Sequence, residues 1–129
     1  MVDVMTELKN VGDCFRMGDL SSGLKKLQLI WEKIPEPKTA TANSYLVIEY
    51  AVTFALKMRD LDEAKKWAGL APPFIKKRQD RGEVEFLLGK VAFECGEMDV
   101  AKKNLIMANK KSKGRILQGQ DPKYRDLIR

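Results

Sequence analysis

The chain of 129 residues has no histidine and only two cysteines, Cys14 and Cys95. Without histidine the usual Ser-His or Cys-His activation of a nucleophile is out of reach, and so are the common zinc sites. The cysteines stand 81 positions apart and neither belongs to a Cys-x-x-Cys pair. They read as buried free thiols acting as small hydrophobes rather than as a disulfide or redox couple. No glycine-rich phosphate loop is present. No run approaches the roughly 18 apolar residues that a membrane-spanning helix needs. The first residues, Met1 to Leu8, carry neither a basic region nor an apolar core, so no signal peptide is expected and a cytoplasmic location is. Glu49, Glu83, Glu85, Glu94 and Glu97 fall on predicted helices, where carboxylates are ordinarily solvated, and no constellation supports catalysis. A non-enzyme without metal or cofactor is the expectation.

What is present is helical periodicity. The chain is long enough for one domain with a real core, and its hydrophobic fraction of 44% is ordinary for a globular protein. The clearest stretch is Glu83 to Ala108. Phe86, Leu87, Val91 and Cys95 share one helical face, Gly96 makes a turn, and Ala101, Leu105 and Ala108 form a second stripe. Gly89, Ala92, Ala101 and Ala108 are small where two such helices would cross, so their axes can approach closely.

The same pattern occurs twice earlier. A first helix is predicted over Asp3 to Met17, with Val4, Leu8, Val11 and Phe15 on its apolar side. Gly18-Asp19 turns the chain, and Asp19 can cap the next helix. That helix, Ser21 to Ile34, carries Leu24, Leu27, Ile30 and Ile34, and Pro35-Glu36-Pro37 stops it. After a linker over Lys38 to Asn43, with Thr41 or Asn43 as a cap, a third helix runs from about Ala42 to Met58. It is apolar nearly all round, which implies burial on two sides. Asp60 and Glu63 resemble a capping box that opens a fourth helix, ended by Pro72-Pro73. Past Lys110 to Arg115 a turn leads to a short last helix, with Asp121 as cap, Pro122 at its first position, and Tyr124, Leu127 and Ile128 apolar.

Leu88-Gly89 with Ala101, Leu105 and Ala108 downstream resembles the tetratricopeptide repeat, a helix-turn-helix unit of about 34 residues. Gly23, Leu27, Ile30 and Pro35 take the matching positions in the first pair. Ala64, Ala68 and Ala71 take them in the second, where the large residue is displaced to Trp67. The spacing from Gly23 to Ala64 is 41 residues and from Ala64 to Ala101 it is 37, so the units are irregular, with the surplus in the proline-containing connections. The resemblance implies an all-α fold of three antiparallel helix pairs, over about 3–35, 42–72 and 80–112, in a right-handed stack. A short C-terminal cap over 115–129 would cover its open end. An unrelated all-α bundle of six helices is the alternative.

In the resembled family, ligands are bound mainly by the first helix of each pair. Carried over, this implies partner-binding positions at Arg16, at Glu49, Thr53 and Lys57, and at Glu83, Phe86, Lys90, Phe93 and Glu94. Tyr45 and Tyr50 join them because aromatic residues anchor interfaces. Phe86, Phe93 and Tyr50 suit a core better than a contact surface. The implied function is binding of a partner protein in a groove. The small size and the ending Gly119-Gln120-Asp121-Pro122-Lys123-Tyr124 resemble small bacterial proteins of this type encoded beside polymorphic toxins, which are immunity proteins. A secretion chaperone or assembly adaptor would use the same groove.

Charge is uneven. Residues 1–64 carry 8 Lys/Arg against 10 Asp/Glu, and residues 65–129 carry 16 against 8. Clusters fall at Lys76-Lys77-Arg78 with Arg81 and at Lys110 to Arg115. They read as solvated surface and helix-end compensation, or as a surface for nucleic acid; few aromatics interleave with them.

Overall fold

The computed structural model describes residues 3–77 and 81–129, without the side chain of Lys77. The cluster Lys76-Lys77-Arg78 and the expected opening of the third pair at residue 80 therefore lie partly outside the described residues. Within them the fold is all-α, 74% helical, with no strand. Eight α-helices occur in the order α1 Val4–Arg16, α2 Leu20–Lys33, α3 Ser44–Lys57, α4 Leu61–Ala68, α5 Phe74–Lys77, α6 Glu83–Glu94, α7 Met98–Ser112 and α8 Pro122–Leu127. The chain forms two compact units, Met1–Trp67 and Ala68–Arg129. No described helix is long and apolar enough to cross a membrane.

In the first unit α1, α2 and α3 pack on one another. Val4, Leu8, Val11 and Cys14 of α1 are buried, as are Gly23, Leu27 and Ile30 of α2. Phe15, expected in the buried stripe, is 39% exposed. Cys14, three residues after Val11, is buried in the seam instead. Phe15 is turned toward α3, where its ring lies 5.4 Å from that of Phe54. Gly23 permits the approach of α2 to α3: a Cβ there would stand 2.1 Å from Phe54 Cε2.

Helix α3 starts at Ser44, two residues later than expected, because Asn43 takes a left-handed conformation (φ 66°) and its side chain makes no capping bond. Lys38 closes the preceding helix. Its Nζ donates to the carbonyls of Trp31 and Ile34 at 2.8 and 2.7 Å and stands over the Trp31 ring. The end of a helix leaves such carbonyls without intrahelical partners.

Asp60 caps α4, accepting from the Glu63 amide at 3.1 Å, but only half of the expected box forms. Glu63 Oε1 accepts instead from the indole of Trp67 at 3.1 Å and pairs with Lys66 at 2.9 Å. The indole of Trp67, 1% exposed, needs an acceptor, and its ring packs edge-on to Trp31. Helix α4 ends at Ala68, short of the expected Pro72. Proline disfavours the helical region for the residue before it, so Ala71 cannot continue a helix into Pro72.

In the second unit α6 packs along α7. A Cβ at Gly89 would lie 2.8 Å from Leu105 Cγ, so the two helices meet at a small residue here too. Glu85, 7% exposed, receives Lys111 Nζ at 2.7 Å across this seam. Phe86, Leu105, Ala108, Leu117 and Tyr124 form a core cluster, with Phe93, Ile116, Leu127 and Ile128 against it.

Three helix-to-helix turns share one backbone pattern. The amides of Asp19, Asp60 and Glu97 each donate to a carbonyl five residues back, Cys14, Ala55 and Ala92, all at 2.9 Å. The residue before each amide is left-handed: Gly18 (φ 77°), Arg59 (φ 58°) and Gly96 (φ 80°). This is the six-to-one closure of a helix C-terminus.

Candidate functional site

Helices α1 and α3 bound the candidate site. Gly12, Phe15 and Arg16 follow one another around α1 at helical spacing, and Tyr50, Thr53 and Phe54 do so on α3. Together these six residues line a hollow of about 280 Å³. A neighbouring hollow of about 480 Å³ shares Gly12, Arg16 and Tyr50 and adds Met5, Leu8, Lys9, Asn10 and Asp13. The shared residues join the two into one trough along the helices. The trough is roomy at Gly12, where a Cβ would meet nothing closer than Arg16 Nη1 at 3.5 Å.

The trough is apolar at its floor and charged at its rim. Phe15 and Phe54 form the floor, and Lys57 Nζ stands 5.9 Å from the centre of the Phe15 ring. Arg16 is ion-paired with Asp13 on the same helix. Thr53 donates its hydroxyl to the Glu49 carbonyl at 2.9 Å, which leaves its methyl to the surface. A larger hollow of about 600 Å³ lies between α1 and α2. Glu7 and Lys33, paired at 3.1 Å, stand on its border, and it offers no aromatic side chain.

The sequence-derived site residues thus divide. Arg16, Tyr50 and Thr53 meet in the trough, Lys57 borders it, and Glu49, half buried, lies one turn from Thr53. Tyr45 does not reach a surface: it is 1% exposed, inside the first unit. Gly12, Phe15 and Phe54 are trough residues that periodicity and resemblance do not single out. The spacing of Phe15 assigns it to the core, and nothing local to α1 signals its turn toward Phe54.

In the second unit the corresponding face of α6 is occupied. Phe86 is buried, with Lys90 Nζ 5.5 Å from its ring centre. Tyr124 of α8 meets Phe86 edge-on at 5.8 Å and Phe93 at 5.2 Å. Its hydroxyl donates to Glu94 Oε2 at 3.0 Å, and Lys123 Nζ pairs with the same oxygen at 2.7 Å. Glu83, half buried, opens the helix.

No protein-family model, curated protein or solved structure matches the chain. Among the described residues no group of three or more His, Cys, Asp or Glu is placed to hold a metal ion. What the trough offers chemically is recognition: a floor of aromatic carbon for an apolar side chain, and cations at its edge for a carboxylate or a backbone carbonyl.

Proposed function

We propose that the chain is a non-catalytic, cytoplasmic protein-interaction module that holds a partner protein along the α1–α3 trough, in the manner of a tetratricopeptide-type repeat. The observation that carries this is the meeting of Arg16, Tyr50 and Thr53, three residues singled out in the sequence as partner-binding positions, around one aromatic-floored hollow. The matching turns at Asp19, Asp60 and Glu97 support the repeat reading, because they recur at the same intervals of 41 and 37 residues as the small helix-crossing positions. Its most specific form is an immunity protein that neutralises a cognate bacterial toxin.

Thr53→Trp tests the reading, since it fills the trough from an exposed position. A partner held by the wild type should be lost from this variant, with the thermal midpoint nearly unchanged. For the immunity form, co-expression with a toxin encoded beside this gene should rescue growth, and Thr53→Trp should not. Full binding by Thr53→Trp would place the partner elsewhere.

A second reading rests on charge. Residues 68–129 carry 14 Lys/Arg against 8 Asp/Glu, the whole net charge of +6, and Lys102, Lys103 and Lys110 are exposed on α7. Such a surface suits nucleic acid. Binding to nucleic acid that weakens steeply with salt would favour it, and no binding at low salt would remove it.

A further inference from the structure

Helix α8 is short and sits on Phe86, Phe93 and Glu94, which the repeat resemblance implies as partner-binding positions. Six residues are far too few to be helical alone, so its order depends on what it touches. It is held through the core cluster that Tyr124 joins, with Leu127 and Ile128 packed against it. One ring, Tyr124, is buried edge-on to Phe86 and Phe93. One carboxylate, Glu94, its side chain 11% exposed, accepts from the Tyr124 hydroxyl and pairs with Lys123. The Lys123 ammonium also stands 5.5 Å from the centre of the Phe93 ring, so the α6 face reads the ring and its neighbouring cation together. Residues 118–120, all exposed, join α8 to the buried Leu117, with Gly119 left-handed at φ 77°. Leu127 and Ile128 are only half buried. A short segment whose flanking apolar side chains are only half buried opens at a free energy below that of global unfolding.

We propose that the α6 face formed by Phe86, Phe93 and Glu94 is a receptor for an aromatic side chain carried next to a cation, and that α8 is its resident, displaceable occupant. The occupant itself states the chemistry of the competing ligand: a protein segment presenting Tyr or Phe beside Lys or Arg. The inference does not depend on the α1–α3 trough, and its test needs no natural partner, so the two readings can fail separately.

The probe is a labelled synthetic peptide of residues 118–129, added to the full chain carrying Lys123→Glu and Tyr124→Ala. Reversing Lys123 sets two carboxylates against each other, and removing the ring empties the seat. The peptide should bind this variant at least about tenfold more tightly than the wild type, whose own α8 competes, because apparent affinity falls with the fraction of open receptor. A peptide lacking the tyrosine should bind neither. Equal binding to both proteins, or none to a variant whose α6 and α7 amides stay protected, overturns the proposal. Should the variant unfold, exchange in the wild type decides. The amides of Tyr124 and Ile128 should exchange through an opening separate from that of α7. Exchange only through the same opening as α7 would make α8 inseparable from the unit and end the idea.

Discussion

The two units build a similar helix surface and treat it differently. In Met1–Trp67, with 10 Lys/Arg against 10 Asp/Glu, the α1–α3 face is left open as a trough floored by Phe15 and Phe54. In Ala68–Arg129, which holds the entire net charge, Phe86 and Phe93 present a comparable aromatic surface, but the tail of the chain lies on it. A helix face rich in aromatic residues is therefore not by itself an exposed site. The segment downstream in the chain decides whether it becomes interior or interface. The basic character of the second unit and the neutrality of the first then have separate consequences: long-range attraction belongs to one, and an apolar seat to the other.

The seams inside the units allow the sharpest comparison. Gly23 and Gly89 both sit where two helices approach, but the overlap a Cβ would make differs. Phe54, 3% exposed and packed on Phe15, has little room to move from a Cβ built at Gly23. Leu105, fully buried, meets a Cβ at Gly89 with Cγ and Cδ2 at 2.8 and 2.9 Å and its backbone nitrogen at 3.2 Å, a smaller overlap than the 2.1 Å at Gly23. Overpacking typically costs about 1–3 kcal/mol, and alanine returns up to about 1 kcal/mol of helix preference over glycine. Gly23→Ala should lower stability in urea by about 2 kcal/mol and Gly89→Ala by about 1 kcal/mol or less. Phe54→Leu added to Gly23→Ala should recover part of the loss, a coupling that a double-mutant cycle reads directly. Equal losses at the two glycines would show that Phe54 is freer than its packing implies.

Much of this is legible in the sequence because it depends on local chemistry. The spacing of Leu8, Val11, Leu27 and Ile30, the glycines at 18 and 96, and the Asp caps at 19, 60 and 121 each specify their own surroundings. The turn at Arg59 is readable without a glycine, since Asp60 and Glu63 announce the helix after it. The features that are not legible depend on distant partners. Phe15 has the right spacing for a core and leaves it only because Phe54 offers a ring across the groove. The apolar side of α8 is readable from Tyr124, Leu127 and Ile128, but its seat on Phe86, Phe93 and Glu94 is not, because nothing local to the tail encodes where it lands. Tyr45 fails as a contact for a similar reason: an aromatic on a helix that is apolar nearly all round has more interior than surface to choose from.

The smallest expected effect marks the border of the open unit. Asp3 caps α1, its carboxylate accepting from the Thr6 hydroxyl at 2.7 Å and from the Thr6 amide at 3.3 Å. These bonds, the hydroxyl first, favour the charged form and hold its pKa below the ordinary carboxylate value of 3.8. Because the folded-state value is the lower one, the cap contributes fully above the unfolded pKa and is lost as pH falls through the folded value. Acidification below about pH 4 should therefore fray the first turn of α1, seen as faster exchange of the Thr6 amide, while the amides inside α6 and α7 serve as the internal reference. Asp3→Asn keeps an accepting oxygen at every pH and should flatten that response, whereas Asp3→Ala should show the frayed rate already at neutral pH. A Thr6 amide that responds to acid equally in the wild type and in Asp3→Asn would mean that the first turn of α1, and with it the end of the trough nearest Met5, is held by something other than this cap.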